Sequence, residues 1–295
     1  MNNRYSLRKE PLFDKPREFI KGIPIIVWLL FLVIIPFAFT IAMSFYSSKG
    51  LVIEKSFTLA NYIKFFTEPI YPRILLKSLR LALSVAVIAL GAAYPVAYMV
   101  SFKLKRGKNL LFMMCIIPLW VSYLVRIIAW RSILGNRGVL NTILMWIGII
   151  KEPLTIFLYN RFAIAITLTY ITIPFVFIPV YTSLEKIPKS ILNAASDLGA
   201  NEMRTFLNVV LPLSMPGLIT GFIFAFVIAL GDYIIPLQLG GTQGIMFGNL
   251  IWSQFGFSFN WPFGAALGLI LLVISVTILG LTAKYGSTEG GFLSE

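Results

Sequence analysis

Long apolar stretches without charge constrain this chain more than any other feature. Residues 22–48, 81–102, 162–184 and 205–231 contain no Asp, Glu, Lys or Arg, and 109–134 is interrupted only by Arg126 and Arg131. After Asp232 no charge recurs until Lys284. A helix needs about 20 apolar residues to cross the hydrocarbon core of a bilayer, where every backbone polar group must pair within the protein. Each stretch is long enough. The last run is too long for one span, and Gly240-Gly241-Thr242-Gln243-Gly244 supplies a break with turn chemistry. The expectation is an all-α membrane protein with six transmembrane helices near 23–45, 75–100, 110–134, 162–182, 213–239 and 262–283. These make one domain over 23–283, between an N-terminal segment 1–22 and a tail 284–295.

Composition agrees. Apolar residues make up 58% of the 295 and charged residues 13%, against about a quarter charged in soluble domains, which excludes a water-soluble globule. A nucleic-acid protein would carry the formal charge of +13 as a basic face on a polar surface, and there is too little polar surface for one. The single cysteine, Cys115, cannot close an internal disulfide. With no histidine in the chain, the usual zinc sites and Ser-His or Cys-His catalytic pairs cannot be assembled.

The excess of basic residues sets an orientation. With both termini in the cytoplasm, segments 1–22, 101–109, 183–212 and 284–295 hold 14 Lys and Arg, and the outer segments 46–74, 135–161 and 240–261 hold 7. Cytoplasmic loops carry such an excess. The basic cluster Arg4, Arg8, Lys9, Lys15, Arg17 and Lys21 weighs most because it precedes the first span. That span exceeds a signal-peptide core and is read as a retained helix. Prolines 36, 95, 118, 174, 179 and 236 fall in or beside the spans. Each removes a helix hydrogen bond, so these positions should face other helices or a wet cavity.

The most informative segment is 183–212. Ser190 can cap a short helix through Leu198 that presents Ile191, Ala194, Ala195 and Leu198 on one face, Gly199 ends it, and a second short helix follows from Asn201. Small Ala194 and Ala195 would let another backbone approach, which suggests a protein partner. The alternative, a helix lying in the lipid interface, sits poorly with three basic and three acidic residues, because such helices are rich in Lys and Arg.

The run Asn193-Ala194-Ala195, then Gly199, then Val209-Val210-Leu211-Pro212 resembles the signature of the membrane permeases of binding-protein-dependent ATP-binding-cassette importers: Glu-Ala-Ala, three residues, Gly, nine residues, Ile-x-Leu-Pro. Every spacing matches. Asn193 stands for the family Glu and Val209 for Ile. The resemblance covers nearly the whole chain, including Ile117-Pro118-Leu119-Trp120, Gly138-Val139-Leu140-Asn141 and Asn260-Trp261-Pro262, and is greatest to the spermidine/putrescine branch. It implies a type I importer fold in a bacterial inner membrane and a transport role, not an enzymatic one, with no catalytic residue and no metal site. The coupling loop would dock on a separate ATPase subunit through Asn193, Ala194, Ala195, Asp197, Leu198, Gly199, Ala200, Glu202 and Pro212. It also implies a second, paralogous permease, an extracytoplasmic solute-binding protein, lipid as the surroundings and no nucleic acid. No G-x-x-x-x-G-K-[ST] phosphate loop occurs here, so no cofactor is expected in this chain and ATP would be bound by the partner.

Asp232 is the one acid within an expected span. A mid-membrane carboxylate costs roughly 2.5–3.5 kcal/mol on insertion scales, so it should face water, a partner or cargo. Late in an outward-running helix, it would meet a cation entering from outside, with Tyr233, Trp120 and Tyr123 as aromatic faces for ammonium groups. A polyamine is the expected cargo; an opine, an amino-acid-like amine, a phosphonate or ferric iron is the alternative within the class. The other account of Asp232 is a salt bridge to Arg126, Arg131 or Arg80, with Arg126 and Arg131 otherwise snorkelling to the interface. An intramembrane aspartyl protease would need a second acid, and a secondary transporter would show paired repeats and midplane coupling groups.

Overall fold

The computed structural model describes residues 16–288 except 51 and 105. The first fifteen residues of the N-terminal segment and the tail from 289 lie outside the described residues. The chain is helical almost throughout. Helix α1 (Pro16–Ser44) is followed by a hairpin of β1 (Ser47–Lys49) and β2 (Val52–Glu54), paired antiparallel with Ser47 opposite Glu54. Then come α2 (Ala60–Thr67), α3 (Ile70–Tyr98, continued by a π turn Met99–Lys103), α4 (Lys108–Ile116), α5 (Tyr123–Leu134) and α6 (Val139–Trp146). Helix α7 (Arg161–Glu185) leads to the short α8 (Lys189–Asp197) and α9 (Glu202–Thr205). The chain ends with α10 (Leu211–Gly231), α11 (Ile234–Leu239), α12 (Phe247–Gly256) and α13 (Trp261–Thr288).

Among the described residues, five helices are long and apolar enough to cross a membrane, and six if the α4–α6 segment counts as one broken span. The expected third span is not continuous. Ile117–Trp120 tightens into a 3-10 turn, Val121 and Ser122 are extended, and the two halves bend by 97°. Pro118, without an N–H, cannot continue the α ladder, and the chain turns there. The expected span 213–239 is also divided. Helix α10 stops at Gly231, Asp232 adopts an extended backbone (ψ 132), and α11 starts afresh at Ile234. The first helix begins at Pro16, inside the segment expected to precede the membrane, and the last runs past 283 to Thr288. The hairpin, α2 and α12 were not legible as elements. The break at 240–244 stands, and glycine is required in it. Gly241 has φ +57, and a Cβ on Gly244 would lie 2.2 Å from the Cα of Gly240.

The core is a three-helix contact of α3, α7 and α10. Ala82, Ala86, Ala89, Ala93 and Ala97 form a buried stripe along α3. Such small residues let helix backbones approach where lipid offers no hydrophobic drive. On α10, a Cβ on Gly217 would lie 2.5 Å from Ser183 Cβ and 2.6 Å from the Pro179 carbonyl of α7. Pro174 and Pro179 lie on α7, against this packed interior, and Tyr94 of α3 and Ser214 of α10 share a buried hydrogen bond of 2.9 Å. Helix α1 lies apart from this core. It packs along α13 and is otherwise exposed from Ile23 to Phe39 wherever its side chains are described. Asn61 ties its end to α2 by donating to the carbonyls of Ser44 and Tyr46 at 2.9 and 2.8 Å.

Candidate functional site

Two groups of side chains stand at opposite ends of the bundle. The first is the α8–α9 hairpin. Helix α8 starts after Pro188, whose extended backbone and fixed φ suit the position, so Ser190 lies inside the helix and is not its cap. At the other end Gly199 takes φ +81, and the Ala200 N–H donates to the Ala195 carbonyl at 3.0 Å. This is the glycine stop in which a left-handed residue satisfies the last carbonyls. Asn201 then caps α9 by accepting from the Arg204 N–H at 2.8 Å.

The hairpin presents an apolar tip. Leu198 is 88% exposed, Asn193, Ala194, Asp197 and Glu202 are exposed, and Ala195 and Ala200 are half-buried. Glu202 reaches back to Lys103 at the end of α3, 2.9 Å away, and Leu192 packs on the bundle core. Nearby, Lys108 and Glu185 pair at 2.6 Å across α4 and α7. Pro212 is the second residue of α10, directly after a π turn at Phe206–Val210. The result is a two-helix projection with one exposed leucine and small residues beside it.

The second group surrounds Asp232, twenty-one residues beyond Leu211 at the far end of α10. Its backbone breaks the helix, and its carboxylate caps the next one, with Oδ1 accepting from the Ile235 N–H at 2.8 Å. Oδ2 accepts a hydrogen bond from the Tyr123 hydroxyl at the start of α5. Asp232 therefore pairs with a tyrosine and a helix N-terminus. Among the described residues the ion pairs are Lys49–Glu54, Lys103–Glu202 and Lys108–Glu185, so no bridge to Arg126, Arg131 or Arg80 forms.

Tyr233 turns the other way and stacks on Trp252 of α12, with centroids 5.9 Å apart, while its carbonyl accepts from Asn249 at 2.8 Å. Gly248 lets α12 approach, since a Cβ there would lie 2.8 Å from the Asp232 carbonyl. Trp120 is 89% exposed, and among the described residues no aromatic or hydrogen-bond contact joins it to Asp232. Arg131 donates to Gln238 and Tyr159 at 3.1 and 3.4 Å. Arg126 does not snorkel. It is 8% exposed, its Nε and Nη1 have no hydrogen-bond partner among the described residues, and its guanidinium carbon lies 5.8 Å from the Tyr123 ring centroid. Trp252, Asn249 and Gly248 lie in the long uncharged run, where a search by charge has no signal to follow.

Comparison with known proteins identifies a family. The profile of the family "Binding-protein-dependent transport system inner membrane component" matches residues 86–285. The chain is 36% identical over 253 residues to the spermidine/putrescine transport system permease protein PotB of Haemophilus influenzae, covering 85% of this chain and 88% of that one. It is 35% identical to PotB of Escherichia coli, covering 85% and 91%. A crystal structure of a bacterial alginate ABC transporter in complex with alginate pentasaccharide-bound periplasmic protein contains a chain that superposes with TM-score 0.75 at 16% identity, over 90% of this chain and 92% of that one. At that identity the likeness is one of fold.

Proposed function

This chain belongs to the inner membrane components of binding-protein-dependent transport systems, and from that premise we propose that it is one half of the pathway of an ATP-driven polyamine importer. It is a multi-pass inner-membrane permease, a transport component and not an enzyme. The cargo reading rests on the 36% and 35% identity to permeases named for spermidine and putrescine and on Asp232, the one acid within the expected spans. Both termini and the α8–α9 hairpin face the cytoplasm in this reading, as the twofold excess of basic residues in those segments supports. A second permease chain completes the pathway, a solute-binding protein delivers cargo at the Asp232 end, and a separate subunit binds ATP.

The observation that carries the coupling role is the exposed Leu198 tip on a hairpin braced by Gly199 and by the Lys103–Glu202 pair. Asn193, Ala194, Ala195, Asp197 and Ala200 form its flanks, and Pro212 ends the segment. Val at position 199 would hold a β-branched residue at positive φ, at a cost of about 1–3 kcal/mol, and Glu at 195 would put a charge on the docking face. Gly199→Val and Ala195→Glu should each reduce co-purification of the ATPase subunit and uncouple ATP turnover from uptake. Normal assembly and coupling in both would refute the assignment.

Asp232, with Tyr123 beside it and Tyr233 next in the chain, is the cation-attracting element in this proposal, and exposed Trp120 offers a further aromatic face. Asn keeps one side-chain oxygen to accept from the Ile235 N–H and cap α11, while its amide NH2 replaces the oxygen that accepts from Tyr123 and can donate to that hydroxyl instead, so Asp232→Asn removes charge with little change in structure. Polyamine uptake should fall about tenfold, equivalent to about 1.4 kcal/mol of lost attraction, with assembly and basal ATP hydrolysis unchanged. Unaltered uptake by a well-expressed variant would remove Asp232 from the pathway.

A further inference from the structure

At the end of the bundle opposite the α8–α9 hairpin, a cleft of about 490 Å³ lies along α3 and reaches the start of α7. Four cations line it: Arg73, Lys77 and Arg80 on α3, and Arg161, the first residue of α7. No acidic side chain is among the lining residues. Lys77 donates to the backbone carbonyl of Gln243, and the ion pairs among the described residues lie elsewhere. Arg73 and Arg161 also sit in the first turns of their helices, where the helix dipole disfavours positive charge. Four like charges in one cleft, two of them at the wrong helix ends, raise a strong local positive potential that nothing within the cleft offsets.

The level of the cleft in the membrane follows from helix length. Arg80 stands 23 residues before Lys103 on one continuous helix, which is roughly 35 Å at about 1.5 Å per residue. Arg161 stands 24 residues before Glu185, roughly 36 Å by the same rise. Lys103 and Glu185 are held at the hairpin end by the Glu202 and Lys108 pairs. A hydrocarbon core is about 30 Å thick, so Arg80 and Arg161 fall at the headgroup level of the opposite leaflet. Below them on the same face of α3, Leu83, Val87 and Ile88 are exposed. The lining runs along the helix from Arg73 to Ser84, parallel to the acyl chains and not across the end of the bundle.

We propose that this cleft binds the phosphate headgroup of an anionic membrane phospholipid, with one acyl chain lying along the apolar face of α3 beneath it. The axial run of cationic rim above apolar stripe matches a lipid; a docking protein would meet a surface spread across the bundle end.

The test uses the complete importer purified with its partner subunits. Native mass spectrometry after exposure to phosphatidylglycerol or phosphatidylcholine should show preferential retention of phosphatidylglycerol. Arg73→Gln/Arg80→Gln should lose about one such lipid per copy of this chain, and Arg137→Gln/Lys151→Gln, with equal charge loss at exposed positions outside the cleft, should lose none. Thermal midpoints should rise with phosphatidylglycerol for the parent and the control and stay flat for the cleft variant. Equal retention of the two lipids by the parent complex overturns the proposal without reference to any variant. Protection by millimolar inorganic phosphate as strong as by the lipid overturns it in favour of a free anion. Unchanged lipid retention in the cleft variant, with weakened affinity for the solute-binding protein, overturns it in favour of a protein-docking face.

Discussion

Tyr123 decides how an acid survives at position 232. The carboxylate of Asp232 is divided between a phenol and a backbone N–H, and the same tyrosine ring faces the buried guanidinium of Arg126. The two charges thus act on one ring without touching each other. Tyr123→Phe keeps the ring and removes the donor. It should cost about 0.6 kcal/mol, the average for such bonds within a membrane, and at most about 1.7 kcal/mol, and lower uptake while the ATPase subunit still assembles. Thermal denaturation of the purified complex beside an uptake assay reads both, and unchanged values in each would mean that the phenol does no more than fill space. The acid itself was visible from sequence, since it is the one charge between Arg204 and Lys284. Its partner was not, because Tyr123 lies 109 positions away and only the folding of α5 against the α10–α11 break brings the two together. An arginine partner was a reasonable electrostatic expectation, yet the geometry gives the carboxylate two neutral donors.

At the scale of elements, α7 and α10 are held closer than side chains would normally allow. Gly217 and Gly221 press the α10 backbone onto Pro179, Ser183 and Val176. Gly217→Ala should destabilise the chain by about 1–3 kcal/mol, the usual cost of overpacking a filled interior, and Gly217→Val by more. Gly268→Ala is the control, because a Cβ there meets nothing within 4 Å. Equal thermal midpoints for the position 217 and 268 variants would contradict the close packing. The hairpin behaves differently. Its Lys103–Glu202 pair is exposed, and exposed pairs contribute about 0–1 kcal/mol, so Glu202→Gln should leave stability nearly unchanged while loosening ATPase coupling. ATP turnover per solute transported would register that change. The hairpin was legible as two short helices about a glycine because Gly199 and Asn201 are local signals. The cap at Pro188 and the brace to Lys103 were not, since the first is a competition among neighbouring residues and the second links positions 99 apart.

As a whole molecule the chain is a packed core of α3, α7 and α10 with α1 standing away from it, exposed along nearly all its apolar length and supported by α13. On the proposed reading this bundle supplies half of a pathway. Subunit-resolved mass spectrometry of the purified importer should find two permease chains of this fold per complex, and this chain reconstituted alone should not transport; a monomeric, transport-competent chain would contradict it. The number and rough position of the apolar spans, the break at 240–244 and the hairpin were determined by the sequence itself, because hydrocarbon solvent demands long uncharged helices and local residues suffice to stop them. Pro118 marks the first break locally, but Pro95, Pro174 and Pro179 sit inside unbroken helices, so tertiary structure decided that spans fail to be single helices at Val121–Ser122 and at Asp232. Hydropathy counts residues and is blind to direction, so a 97° bend inside an apolar run leaves no trace in it. The bend survives because the chain around the break finds partners across the fold, Tyr123 with Asp232 and Asp232 with the first turn of α11. Those partners exist only once the helices have packed.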